Sequence, residues 1–175
     1  MCSHPTGGYS GKTQAVIVVR GTKKFLDRVG RPGVDDVTSS SVLGDWYANP
    51  LFWRPQVALF VNERSLLPVV VPLAPASSVV SRLPAAFADV AVRIGVNGEA
   101  LIRELSAMGE HVLAKTASRR VLGVMNEFAH LSDAYRDRRD PVDLLELSLW
   151  LAHVPCSPLY GSTISPDGEL KVLLG

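Results

Sequence analysis

The chain has 175 residues, 47% hydrophobic and 20% charged, a balance that supports one packed domain and excludes intrinsic disorder. Its net charge of +1 is uneven: residues 1–31 hold six Lys/Arg against Asp27 alone, so the remainder carries −4. Two cysteines, Cys2 and Cys156, exclude a disulfide-framed fold and a CxxC metal or redox site. No apolar run approaches the roughly 18 residues of a membrane span, so a reducing, cytoplasmic location is expected.

Residues 1–12 are polar and Gly-rich and read as an extension ahead of a single domain at 13–175. The stretch at 7–13 imitates a phosphate loop, but GxxxxGK[ST] needs glycine where Thr6 stands and a preceding strand, so that reading fails. Residues 15–20 are continuously apolar and β-branched up to Arg20, which predicts a buried strand. Thr22 then caps a short helix with Phe25, Leu26 and Val29 inward. Residues 30–43 read as a long, flexible loop.

Residues 46–53, 57–62 and 66–73 predict an antiparallel meander, its last strand placed at an edge or bulged by Pro68. The period then turns helical. Ser81 and Pro84 open a helix that Gly95 ends, and a second runs from Asn97 or Gly98 to Gly109 with Leu101, Ile102 and Leu105 inward. Residues 112–115 form another strand candidate. A helix follows from Ser118 or Arg119 to about Asp137, striped by Val121, Met125, Phe128, Leu131 and Tyr135. Pro141 starts a last, leucine-rich helix to about Ala152, and 170–174 is expected as an edge strand. The class is therefore α+β: a small, mainly antiparallel sheet (N-terminal strand, three-strand meander, one later strand) packed against four to five helices.

The turn at 115–120 is the most informative stretch. Lys115, Thr116, Ser118, Arg119 and Arg120 crowd the start of a helix, where unpaired N–H groups and a partial positive charge already favour anions. The same residues also fit a capping turn with solvated cations. Along the helix, a 100° step sets Arg120, Gly123, Glu127 and His130 opposite Val121, Met125 and Phe128, and Asn126 is a further binding candidate. A cation, a carboxylate and an imidazole there suit phosphate stabilisation and proton transfer, or a solvated face with internal ion pairs. Gly123 costs about 1 kcal/mol against alanine in mid-helix, which suggests a close approach.

Asp45 beside Trp46 fits either a base-stacking pair or a core tryptophan with a turn-capping acid. His111, His130 and His153 lack metal-ligand spacing. Asp133, Asp137, Asp140, Asp143 and Glu146 interleave with Arg136, Arg138 and Arg139, so a self-neutralising corner is expected there, with no metal and no cofactor. There is no GxSxG elbow, and neither cysteine has a histidine near it in sequence.

Several segments also carry a resemblance: Arg20-Gly21-Thr22-Lys23-Lys24-Phe25-Leu26, Leu43-Gly44-Asp45-Trp46-Tyr47-Ala48-Asn49, Ala58-Leu59-Phe60-Val61-Asn62-Glu63, Ala114-Lys115-Thr116, and Arg120-Val121-Leu122-Gly123-Val124-Met125-Asn126-Glu127. In this order and spacing the chain resembles a family of uncharacterised bacterial proteins, a domain of unknown function. The resemblance implies no assigned activity. The family often has histidine where this chain has Tyr47, which weakens any chemistry assigned to a histidine there.

Three functional expectations follow. The leading one is binding of a phosphate-bearing partner, nucleic acid and RNA more than DNA, by Arg20, Lys23, Lys24, Lys115, Thr116, Ser118, Arg119 and Asn126. The second is a metal-independent ribonuclease or phosphotransfer-type enzyme, with His130 or Glu127 as acid or base and Lys115 or Arg120 stabilising charge. The third is a protein-interaction module presenting the strand at 66–73 or the leucine-rich helix. No membrane partner is expected.

Overall fold

The computed structural model describes residues 15–33 and 36–175, so the extension at 1–12 and its phosphate-loop imitation lie outside the described residues. Five strands, β1 (Val16–Gly21), β2 (Trp46–Leu51), β3 (Val57–Asn62), β4 (Pro68–Pro72) and β5 (Glu110–Lys115), form one sheet in the order β4-β3-β2-β1-β5. The meander β2-β3-β4 pairs antiparallel, as its short turns require. β1 instead runs parallel to both β2 and β5. Parallel neighbours need crossovers, and helices supply them: α1 (Lys23–Val29) before β2, and α2 (Leu83–Ile94) and α3 (Glu99–Ala107) before β5.

The strands alternate strictly between two faces. Ile17, Val19, Trp46, Ala48, Phe60 and Val69 point to one, where Phe25 of α1 and Phe87 of α2 pack. Tyr47, Leu59, Val61 and Val70 point to the other, beneath Val121, Met125 and Phe128 of α4 (Arg119–Arg136). Pro68 sits on the edge strand β4, where a missing N–H is tolerated. α5 (Leu144–Ala152) closes that edge: the Val70 N–H donates to Ser148 Oγ at 2.9 Å.

The α+β class and all five strands agree with the sequence reading, and several local expectations change. Residues 170–174 belong to a helix, α6 (Pro166–Leu174), not a strand. Proline in its first turn, two acids after it, and Leu170 and Leu174 buried one turn apart all favour helix. α5 begins after Asp143, whose carboxylate accepts the Leu145 and Glu146 N–H groups, and not at Pro141. Ser81 does not cap α2; its hydroxyl donates to Ser78 O at 2.7 Å.

Ile102 faces solvent at 63% exposure, while Glu104 is 2% exposed in its place. The Glu104 carboxylate accepts from Ser41 Oγ and from the Val42 N–H, which holds the end of the long loop. Ser39 and Ser40 also bond to β1. The described part of that loop is thus fastened rather than free.

Gly21 ends β1 where Phe25, wholly buried, packs edge-on against Phe60 with ring centroids 5.8 Å apart. A Cβ there would stand 2.7 Å from Phe25 Cδ1 and 2.9 Å from Leu26 Cδ2. Gly21→Ala should therefore lower stability by about 1–3 kcal/mol in urea unfolding, the usual cost of overpacking. An unchanged unfolding midpoint would contradict this packing.

Candidate functional site

Register brings the candidate residues together. Gly21 of β1 is the partner of Lys115 of β5, so the turns into α1 and α4 leave the same end of the sheet side by side. α1 then packs on one face and α4 on the other. Where neighbouring parallel strands send their connections to opposite faces, a crevice opens at the strands' carboxyl ends. Arg20, Lys23 and Lys24 therefore share one end of the molecule with Lys115, Thr116, Ser118, Arg119 and Arg120.

A polar network builds this end from four distant segments. Arg20 Nε donates to Asp45 Oδ2 at 2.6 Å, and its Nη1 donates to Lys115 O at 3.0 Å. Thr22 Oγ1 accepts the Phe25 N–H, capping α1, and donates to Asn49 Oδ1 at 2.8 Å. Glu63 Oε2 accepts the Asp45 N–H at 3.1 Å, and Glu63 O accepts from Arg120 Nη1 at 3.3 Å. Gly44 between them has φ +74°, and a Cβ there would stand 2.8 Å from Glu63 Oε2. Asn62 ties in the meander turn: its Nδ2 donates to Leu43 O, and its Oδ1 accepts from Ser65.

Tyr47 crosses from the sheet to α4. Its ring is buried and its hydroxyl accepts the Ser118 N–H at 3.1 Å. Burial first, then the nearby Glu63 charge, push that hydroxyl above its ordinary value of 10. Ser118 Oγ in turn accepts the Val121 N–H at 3.3 Å, so the capping reading of the turn holds.

Capping does not account for the cations. Arg20 is paired with Asp45 and Lys23 with Asp27, but among the described residues Lys24, Arg28, Lys115, Arg119 and Arg120 form no ion pair. α1 and α4 both open with two cations and no acid in the first turn. A cation there opposes the helix dipole at a cost of about 0.3–1 kcal/mol. Lys115, Arg119 and Arg120 are all exposed, so the surface they make is open.

The rest of the α4 face is sparser. Asn126, Glu127 and His130 are exposed, and among the described residues their side chains have no hydrogen-bond partner. Arg120 and His130 are separated by about 15 Å of helix, too far to grip one phosphate together. A Cβ at Gly123 would meet nothing within 4 Å, so the close approach its position suggested is not made by this chain.

Trp46 is fully buried, which removes the stacking role considered for it, and Asp45 serves Arg20. His111, His130 and His153 lie on β5, on α4 and at the end of α5. Among the described residues no three His, Cys, Asp or Glu side chains gather to hold a metal. Cys156 is buried, and burial followed by the Glu127 charge pushes its thiol up to about 11, far from a reactive thiolate. The segments considered for a protein partner are mostly spent on the core: Leu66, Leu67, Val69, Val70 and Val71 are buried, as are Leu147 and Leu151 of α5.

The corner at 133–146 has its acids exposed and pairs Arg136 with Asp137 at 3.6 Å, and it also carries aromatic contacts that the charge pattern does not show. Arg136 stacks over Trp53 at 5.2 Å, Arg139 stacks over Tyr135 at 4.3 Å, and Tyr135 meets Trp150 at 5.1 Å. The available signal was Trp150, a large ring one turn from the buried Leu147 on the leucine-rich helix.

A family model described as a domain of unknown function (DUF6933) matches residues 18–169. No curated protein and no solved structure matches the chain.

Burial of the Tyr47 hydroxyl beside Glu63 has a pH signature. A hydroxyl whose folded value is raised stabilises the fold fully below its unfolded value and loses that contribution as pH rises through the folded value. Wild-type stability should therefore drop relative to Tyr47→Phe once the pH passes 10. At neutral pH, Tyr47→Phe should itself cost about 1–3 kcal/mol by leaving the Ser118 N–H without an acceptor. Parallel stability–pH curves for the two proteins would refute the assignment.

Proposed function

Starting from the fact that this chain belongs to the DUF6933 family, which has no assigned function, we propose that it binds a phosphate-bearing partner, nucleic acid and RNA more than DNA. The contacts come from the cations at the carboxyl ends of β1 and β5. The observation that carries this reading is the Gly21–Lys115 register with α1 and α4 diverging to opposite faces. It sets Arg20, Lys23 and Lys24 at the same end as the 115–120 turn, with Lys24, Lys115, Arg119 and Arg120 lacking acidic partners among the described residues. Thr116, Ser118 and Asn126 add polar groups beside it.

Phe52, just beyond the end of β2, supports the preference for unpaired strands. It is 52% exposed, with Lys24 Nζ 5.5 Å and Arg28 4.9 Å from its ring. An exposed ring flanked by cations can stack a base and hold its phosphate, the usual combination for single-stranded nucleic acid. A cytoplasmic location fits this partner, and among the described residues no helix is long and apolar enough to cross a membrane.

The test is a labelled single-stranded RNA incubated with the protein in EDTA and followed by anisotropy over a salt series. Affinity should fall steeply with salt, and the Arg119→Ala/Arg120→Ala double variant should flatten the log–log slope by about 0.7 for each phosphate it no longer neutralises. Equal slopes for wild type and double variant would take the 115–120 turn out of the interface. RNA shortened during the incubation, and spared by His130→Ala, would replace binding with the hydrolytic reading.

A further inference from the structure

The far end of α4 carries a second surface of different chemistry. Tyr135, in the last turn of α4, lies 5.1 Å from Trp150 of α5 with the rings tilted by 46°. Tyr135 is only 8% exposed and backs the site, whereas Trp150 is 41% exposed. Leu147 and Leu151 anchor α5 in the core, and the indole between them packs on Tyr135 while staying partly open to solvent. The Arg139 guanidinium covers the Tyr135 ring at 4.3 Å.

Two recesses, about 410 and 430 Å³, open beside this ring pair, and both are lined by Tyr135, Arg139 and Trp150. Each is within the size range of small-ligand sites. Arg93 lines the first and Arg138 the second, and the one carboxylate, Glu146, lies 3.5 Å from Arg93. The lining is thus cationic around an exposed flat ring.

We propose that this groove binds a nucleotide, with its base stacked on Trp150 and its phosphate held by Arg139 and Arg138. An indole face accepts any base, and planar guanidinium groups suit phosphate oxygens through paired N–H donors. The nucleotide is either a free mononucleotide or one unit of a single strand. The second source rests on the nucleic-acid reading above. α4 sets Tyr135 about 25 Å from Ser118, a span that a strand of a few nucleotides crosses.

The experiment titrates the full chain with AMP and, separately, with a labelled oligouridylate of about ten nucleotides. Wild type, Trp150→Ala, Trp150→Phe and Arg139→Ala are compared after thermal melts have confirmed folding. Trp150→Ala should weaken the bound probe roughly ten-fold, as expected when one base no longer stacks, while Trp150→Phe keeps most of the affinity. Trp150→Ala should leave the salt slope for the oligonucleotide unchanged, unlike Arg119→Ala/Arg120→Ala, so the two surfaces fail separately. AMP bound and the oligonucleotide ignored would assign a free nucleotide here and remove the nucleic-acid reading; the reverse would assign the strand. The groove is overturned if wild type binds neither probe, or if Trp150→Ala and Arg139→Ala both bind within about two-fold of wild type.

Discussion

The rest of the molecule depends on β1 being paired in parallel on both sides, with β2 and with β5. A strand so placed must be reached by crossovers, and α1 with the α2–α3 pair fills them. Its ladder with β5 joins residues that are far apart in the chain and aligns the ends of the two strands residue for residue. Side chains hold that alignment. Ile17 and Val19 anchor one face, Gly21 lets Phe25 close over the strand end, and Arg20 reaches across to Lys115 O. The outer side of β5 is tied by the Gly33 N–H donating to Leu113 O.

The polar network at that end links the interior to the surface. Arg20–Asp45, Asp45–Glu63 and Tyr47–Ser118 are each half-buried or buried, so removing one partner strands another in a poorly solvated place. The energetic consequence is rigidity in the turn that carries Lys115, Thr116 and Ser118. The functional consequence is that Arg119 and Arg120 project from a fixed platform. Much of the family resemblance is thereby given a structural meaning: Gly21, Thr22, Gly44, Asp45, Trp46, Tyr47, Asn49, Asn62 and Glu63 hold the segments to one another.

Where sequence and structure part, the reason is local. Ile102 and Glu104 exchange places because hydrophobicity alone cannot register that the Ser41 hydroxyl and the Val42 N–H need an acceptor. Residues 170–174 look like a strand by composition, but their first-turn proline, their acids and the spacing of Leu170 and Leu174 act at helical period. The arginines at 136–139 look self-neutralised in a linear count, and Arg136 does meet Asp137, but Arg136 and Arg139 also sit over aromatic rings supplied by β2's exit and by α4 itself.

The sequence by itself determined the class, the positions of the five strands though with a sixth added at 170–174, the cap at Thr22, and the identity of the basic turn. Each of these is encoded in residues within a few positions of one another, through periodicity, β-branching and side-chain capping. Only the tertiary structure decided that Arg20, Lys23 and Lys24 lie at the same end as the 115–120 turn, and that Tyr47 fastens that turn to the sheet. It also decided that Trp150 faces outward beside Tyr135 and Arg139. Those juxtapositions arise from strand register and from which face each helix covers. Both are set by cooperative burial across the whole chain, and no local pattern carries them.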